Sequence, residues 1–228
     1  MSGGTIPLIE AAVESLEAAL AAQAGGADRI ELCTDLAHGG TTPAVELLRE
    51  SVSRLSIPIF VLVRPRAGDF SYTAAEHRLM LEQIEHAKQA GAHGIVTGAL
   101  TLQRELDEVR TAELLEAARP LHFTFHRAFD ACRDRRTTLE SLIRLGVERV
   151  LTSGGATTAP EGVHEIRRLV IQAKGRIEIL PGGGVTAENV IQLVQQTGVR
   201  EIHFSANDPN KVRIIRELLF SPPSRSPR

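Results

Sequence analysis

A junction between a helix and a strand can be read in the stretch GGADRIELC, residues 25–33. Two glycines follow a segment of helical period, and a short run of alternating apolar and polar side chains comes next. Glycine adopts the left-handed conformation that ends helices at little cost, so we expect a helix to end here and a strand to begin. Similar junctions recur at 90–92, 145–147 and 197–199. This repetition indicates a fold of successive strand–helix units.

Strand-like and helix-like segments alternate along most of the chain. Strands are predicted at 6–10, 29–33, 57–63, 94–98, 122–126, 149–152, 176–180 and 201–205. Helices are predicted at 16–24, 44–55, 74–90, 106–118, 139–145, 162–173, 187–196 and 211–220. Eight such units favour a closed parallel (β/α)₈ TIM barrel over an open doubly wound sheet. We expect one compact domain over 1–220 and a flexible Ser/Pro/Arg-rich tail over 221–228.

Composition excludes several classes of protein. The 228 residues are 43% hydrophobic and carry a formal charge of −2, and no basic block is interleaved with aromatic residues, so no nucleic-acid partner is expected. No apolar run approaches the roughly 20 residues that span a bilayer, and the N-terminus lacks the pattern of a signal peptide. Two cysteines are too few for a disulfide framework, so we expect a cytoplasmic protein with no membrane partner. No pattern indicates an organic cofactor.

Alternation along the predicted strands places polar side chains inside the barrel, near the carboxyl ends. They are Glu10, Glu31, Arg64, His126 and His203. Active sites of such barrels lie at that end, so we expect these five to meet at one mouth. Several charges in a dry interior are costly unless they pair or reach water. The alternative is a buried ion network that only fixes the barrel.

Two loops that follow strands carry further candidates. After the third strand, Arg66 and Asp69 join Arg64, whose planar guanidinium suits a carboxylate or phosphate; the alternative is a surface loop in which Arg66 and Asp69 pair. After the fifth strand come Arg127 and Asp130. His126 suits general acid–base chemistry near neutral pH, and Asp130 is a further catalytic candidate. The alternative is a histidine that Asp130 holds for structural reasons.

A glycine-rich loop follows the seventh strand. Its three successive glycines allow backbone N–H groups to approach a ligand closely, and barrels often bind phosphate after strands seven and eight. Hydroxyl groups after strands six and eight add donors. We therefore predict ligand binding at this end, with a tight turn as the alternative, by Gly182, Gly183, Gly184, Thr152, Ser153, Ser205 and His203.

The chain resembles the copper homeostasis protein CutC family. The matching stretches are 25–33, 39–43, 64–70, 124–130, 149–154 and 182–185, and the likeness runs from about residue 10 to 205. The resemblance implies a TIM barrel, a cytoplasmic location, homo-oligomers and a link to copper handling. It brings no settled enzymatic reaction.

One position departs from the family. Members often read Glu-x-Cys-x-Asp-Ser after the first strand, but Ala12 stands where that cysteine would be. We expect position 12 and Cys33 to lie side by side, where two thiolates would bridge a soft copper(I) ion. With Ala12 that pair cannot form, so Cys33 alone is the candidate copper(I) ligand, and a buried apolar role is its alternative. Cys132 is expected to be a surface or packing thiol.

Three hypotheses remain at this point. The first is a CutC-like copper homeostasis protein that binds copper(I). The second is an enzyme acting on a small anionic or phosphorylated metabolite, which the Gly182–Gly184 loop and Arg64 hold while Glu10, Glu31 or His126 moves protons. The third is a structural barrel without chemistry. The expected partner is accordingly a copper ion or a small anion.

Overall fold

A computed structural model describes residues 6–206 and 208–220 of the chain. In these residues eight parallel strands form one sheet in the order β7-β6-β5-β4-β3-β2-β1-β8. The strands are β1 (Leu8–Val13), β2 (Arg29–Leu32), β3 (Ile59–Leu62), β4 (Gly94–Thr97), β5 (His122–Phe125), β6 (Arg149–Thr152), β7 (Glu178–Pro181) and β8 (Glu201–Ser205). The last two strands lie against each other without a hydrogen-bonded ladder. The barrel is therefore nearly closed, and the predicted fold class is confirmed.

Helices alternate with the strands and surround the sheet. They are α1 (Leu16–Ala24), α2 (Val45–Arg54), α3 (Ala74–Gln89), α4 (Glu108–Ala118), α5 (Ala128–Ala131), α6 (Arg135–Leu145), α7 (Val163–Ala173), α8 (Val190–Thr197) and α9 (Lys211–Phe220). Sequence periodicity did not predict the four-residue α5 or a 3₁₀ turn at Leu36–His38, because both are too short to show a period. The predicted tail lies outside the described residues. No helix in the described part of the chain is long and apolar enough to cross a membrane.

The alternation of side chains agrees with the prediction. Residues of one parity, such as Ile9, Ile30, Phe123 and Ile202, belong to the large core between sheet and helices. Residues of the other parity point into the barrel, where a smaller apolar cluster consists of Ala12, Cys33, Phe60, Leu62 and Val96. The charged residues of the same parity share this interior, so the sheet itself brings them together.

The first strand differs from its predicted bounds in a way that matters for the site. Apolar Ala11, Ala12 and Val13 are buried and continue β1 three residues beyond the predicted end at Glu10. Glu10 pairs in register with Arg29 on one side and His203 on the other. Glu10 therefore lies inside the barrel and not at its rim, and this part of the prediction was wrong.

Candidate ligand site at the barrel mouth

A cavity of about 250 Å³ opens at the carboxyl ends of the strands. Its wall includes eight of the residues that the sequence singled out: Glu31, Arg64, His126, Arg127, Gly183, Gly184, His203 and Ser205. These come from strands, or from the loops that follow them, on different sides of the barrel. The structure therefore brings half of the sixteen predicted site residues together in one cavity wall.

His203 lies between two carboxylates at the floor of the cavity. Its Nδ1 is 2.8 Å from Glu10 Oε1, and its Nε2 is 3.4 Å from Glu31 Oε2. All three side chains are buried, and one ligand atom from each lies within 4.8 Å of the others. Within the described residues, these three side chains form a group whose ligand atoms could hold a metal ion.

The two buried carboxylates have different pKa values because their partners differ. Burial raises the pKa of Glu31 to about 7, and the nearby charge of Glu10 adds to this effect while His203 opposes it. For Glu10, burial is outweighed by Arg29 and by the bond to His203, so its pKa falls to about 2. Burial opposes the charged form of His203, but Glu10 and Glu31 raise its pKa above the usual value. Glu31 thus exchanges its proton near neutral pH, whereas Glu10 stays ionised.

Glu10 also belongs to an ion network below the cavity. Arg29 donates to Glu10 through Nε and to Glu201 through Nη2, the latter at 2.7 Å, and Arg149 donates to Glu201 at 2.6 Å. The guanidinium groups of Arg29 and Arg149 lie 4.7 and 5.6 Å from the centre of the Phe60 ring. Glu10 therefore belongs to a buried ion network, which was the alternative to a ligand site, although it also contacts His203 at the cavity floor. Arg29, Arg149 and Glu201 went unnoticed in the sequence because they lie toward the amino ends of their strands.

His126 is a neutral hydrogen-bond donor in the cavity wall. Its Nδ1 accepts from the Ala128 N–H at 3.3 Å, so the ring proton is assigned to Nε2, which is buried without a partner among the described residues. Burial, assisted by the charge of Arg64, lowers the pKa of His126 to about 3. Asp130 makes no hydrogen bond to His126, so the proposed structural pairing of these two does not occur.

Arg64 is largely occupied by backbone carbonyl groups. Its Nη1 donates to Gly40 O at 2.9 Å and its Nη2 to Gly68 O at 2.8 Å, which ties together the loops after β2 and β3. Its guanidinium also lies 4.9 Å from the centre of the Phe70 ring, itself part of the cavity wall. Its Nε is buried, and the Tyr72 hydroxyl, also buried, lies close to the guanidinium.

Asp130 organises the loop after β6. Its carboxylate accepts from the side chains of Thr152 and Ser153, from the N–H groups of Ser153 and Gly155, and from Arg127 Nε. Asp130, Thr152 and Ser153 therefore lie behind the cavity wall. Their predicted catalytic and ligand-binding roles remain predictions, and the contacts seen are supporting ones.

The glycine loop after β7 divides into two parts. The Gly182 N–H donates to Thr152 O at 3.0 Å, and a side chain there would meet Leu151 and His203. Gly183 and Gly184 have φ angles of 95° and 70°, which favour glycine, and both line the cavity with Val185. Gly182 thus provides space for His203, while the next residues present backbone to the cavity.

Lys211 is a cavity residue that sequence reasoning missed. Its Nζ donates to Ser205 O at 3.0 Å and lies 5.1 Å from the centre of the Phe204 ring. Burial lowers its pKa, while Asp208 and Glu188 act in the opposite direction. The short connection between β8 and α9 was the available signal, because it places the first residue of α9 next to the mouth.

Arg66 and Asp69 lie away from the cavity. They pair with each other at 2.9 Å, and Arg66 also donates to Glu76 at 2.6 Å. This is the surface-loop arrangement that the sequence left open. Their predicted ligand-binding role is not supported by a place in the cavity wall.

The two cysteines are buried and free. Ala12 pairs in register with Glu31 and not with Cys33, so the expected side-by-side placement was wrong by two residues. The Cys33 thiol lies 3.6 Å from Val13 O, and burial together with Glu31 and Glu14 raises its pKa above the usual range. Cys132 packs against Ala128 O at 3.5 Å, as expected for a packing thiol. Neither surrounding favours a thiolate.

Comparisons with known proteins agree on one family. The family model described as CutC family matches residues 7–208. The chain is 48% identical to the human copper homeostasis protein cutC homolog over 199 residues, which are 87% of this chain and 73% of that protein. It is 49% identical to a CutC family protein of Pasteurella multocida over 86% of this chain and 81% of the relative.

A solved structure shows the same architecture. The crystal structure of the putative copper homeostasis protein CutC from Streptococcus agalactiae superposes with a TM-score of 0.84 at 35% sequence identity, covering 90% of this chain and 99% of that chain. The family match, the sequence identity and the shared barrel all point the same way: the chain belongs to the CutC family.

Proposed function

We propose that this protein acts in copper homeostasis and binds copper at the floor of the mouth cavity, through His203 Nε2 and Glu31. The names of the human and streptococcal relatives support the first part. The observation that carries the second part is the grouping of Glu10, Glu31 and His203, whose ligand atoms lie within 4.8 Å of one another.

The geometry suits an ion held by two of these side chains and oriented by the third. His203 Nε2 and Glu31 Oε2 are 3.4 Å apart, a spacing that two ligands of one ion adopt when each lies about 2.0–2.2 Å from it. Glu10 accepts from His203 Nδ1, and a carboxylate in that position fixes the ring and makes its other nitrogen a better ligand. Because Glu31 and His203 both line the cavity, further ligands would come from water or a small molecule there.

The donor types favour copper(II). Imidazole and carboxylate suit copper(II), whereas copper(I) prefers thiolate and thioether ligands. The buried Cys33 thiol has a raised pKa and no second cysteine beside it among the described residues. The copper(I) prediction, which depends on Cys33, is the alternative that the same experiment tests.

The test is a titration of purified protein with copper(II) and with copper(I), each in competition with a chromophoric chelator. We expect one copper(II) site, weakened about tenfold or more in Glu31→Gln, because each ligand contributes at least as much as a supporting contact. The Cys33→Ser variant should bind copper(II) as the wild type does. Glu46→Gln, which changes an exposed glutamate on α2, is the matched control.

Thermal unfolding of each variant shows whether Glu31→Gln still folds. If the folded Glu31→Gln protein bound copper(II) with unchanged affinity, the assignment of the site would be wrong. If only copper(I) bound, and Cys33→Ser abolished it, the site would be at Cys33 instead. If neither ion bound, copper binding by this chain would be rejected.

A further inference from the structure

We infer that the wall of the mouth cavity formed by the glycine loop after β7, beside His203, is a subsite for the phosphate group of a small phosphate monoester, held by the N–H groups of residues 183–185 together with Arg127 and Lys211. The inference rests on the proposed function only in using the same cavity, and it needs no copper. The remaining side chains of the wall would contact the uncharged end of such a molecule.

Three successive backbone N–H groups are available on this wall. Those of Gly183, Gly184 and Val185 have no hydrogen-bond partner among the described residues, although all three residues line the cavity. The carbonyl groups of the loop are held elsewhere, since Gly183 O accepts from Ala159 N at 2.8 Å and Gly184 O from Asn189 Nδ2 at 2.8 Å. Successive N–H groups in left-handed turns form a concave site for anions.

A first positive charge lies directly above this loop. A Cβ atom built on Gly183 would be 2.9 Å from Arg127 Nη1, so that nitrogen lies close to the backbone of Gly183. Arg127 Nε and Nη2 are bonded to Asp130 and Ser153, which fixes the guanidinium and leaves Nη1 outside those bonds. The contacts of Asp130 therefore orient a group that faces the subsite.

A second positive charge comes from the first residue of α9. Lys211 lines the cavity, half-buried, with Nζ bonded to Ser205 O. Asp208 and Glu188 are the acidic groups close to it, and both act on its pKa. Two cations and three N–H groups match the dianionic charge and the three terminal oxygens of a phosphate monoester better than the two oxygens of a carboxylate.

The rest of the cavity wall is largely apolar. Leu62, Phe70 and Leu151 line it together with His126. The volume of about 250 Å³ lies below the roughly 300–1,000 Å³ of pockets for drug-sized ligands, so the molecule is small.

The test uses copper-free protein labelled with ¹⁵N. Addition of inorganic phosphate, and separately of glycerol 1-phosphate, should shift the amide resonances of Gly183, Gly184 and Val185, while glycerol alone should not. The phosphate ester should bind more tightly than inorganic phosphate, because only the ester also contacts the rest of the cavity wall. If neither phosphate compound shifted these amides at millimolar concentration, the inference would fail.

A charge variant gives an independent readout. Lys211→Met should weaken the binding of glycerol 1-phosphate about tenfold, as expected for loss of one charge-assisted contact. Lys174→Met removes an exposed lysine at the end of α7 and should leave affinity unchanged. Equal affinity in both variants would contradict the role of Lys211. If copper bound normally but phosphate did not bind, only this inference would be wrong. If phosphate bound but copper did not, only the proposed copper site would be wrong.

Discussion

His126 is a residue whose chemistry is set by its surroundings. An exposed histidine titrates near neutral pH, but burial and the neighbouring charge of Arg64 lower the pKa of His126 to about 3. It therefore remains neutral in the working range of most proteins, and its Nε2 is buried. The sequence suggested an acid or base at this position, whereas a buried neutral ring does not exchange a proton near neutral pH.

This shift predicts how stability depends on pH. The folded pKa lies below the ordinary value of 6.5, so the contribution of neutral His126 is fully present above pH 6.5 and is lost as pH falls toward 3. Between pH 7 and pH 5, the wild type should lose about 2 kcal/mol of unfolding free energy through this residue. His126→Gln should lack that part of the loss. Urea unfolding at the two pH values measures both.

The control for this prediction is His86→Gln, which replaces an exposed histidine in the last turn of α3. It should keep the pH dependence of the wild type. Equal losses of stability in the wild type and in His126→Gln would show that the histidine does not resist protonation when folded.

Among the elements, the short helix α5 and the loop after β6 depend on one carboxylate. Asp130 on α5 accepts from residues 152, 153 and 155, and it fixes Arg127 above the glycine loop. A substitution of Asp130 should therefore disturb both the loop after β6 and the position of Arg127 next to the glycine loop.

Asp130→Ala should lower the unfolding free energy by about 2–3 kcal/mol, because several donors lose their acceptor together. It should also broaden or shift the amide resonances of residues 152–155. Asp69→Ala, which breaks an exposed pair with Arg66, should cost about 1 kcal/mol or less. Urea unfolding and amide spectra check both. Similar effects of the two variants would contradict the supporting role assigned to Asp130.

The sequence could predict these elements more easily than their register. Apolar alternation placed Ile30 outside and Glu31 inside correctly, because the strand period is insensitive to where a strand ends. The same pattern could not show that β1 continues to Val13, which moves Glu10 below the rim. Nor could it show that Ala12 pairs with Glu31, since the offset between neighbouring strands depends on barrel closure.

Across the whole molecule, repeated junctions predicted the barrel and the meeting of polar residues at its mouth. Strand alternation gives Arg29 and Glu201 the same inward parity as Glu31 and His203, but it could not show which of these charges would pair. The bonds from Arg29 and Arg149 to Glu201 depend on closure of the sheet. This network connects β2, β6 and β8, and through Arg29 it holds Glu10, which in turn orients His203.

The network also spans a weak place in the barrel. Strands β7 and β8 lack a ladder, and the bond from Arg149 to Glu201 passes inside this seam, while Arg200 and Glu178 pair across it at the surface. Removing one partner of a buried ion pair leaves an uncompensated charge, which is more costly than replacing both partners.

Glu201→Leu should therefore lower the unfolding free energy by about 3 kcal/mol, since Arg149 loses its carboxylate and Arg29 keeps only Glu10. The double variant Arg149→Met with Glu201→Leu should recover at least half of that loss, measured by urea unfolding. Arg200→Met, which breaks the exposed pair, should cost about 1 kcal/mol or less. If the double variant were no more stable than Glu201→Leu alone, the charges would not act as a pair.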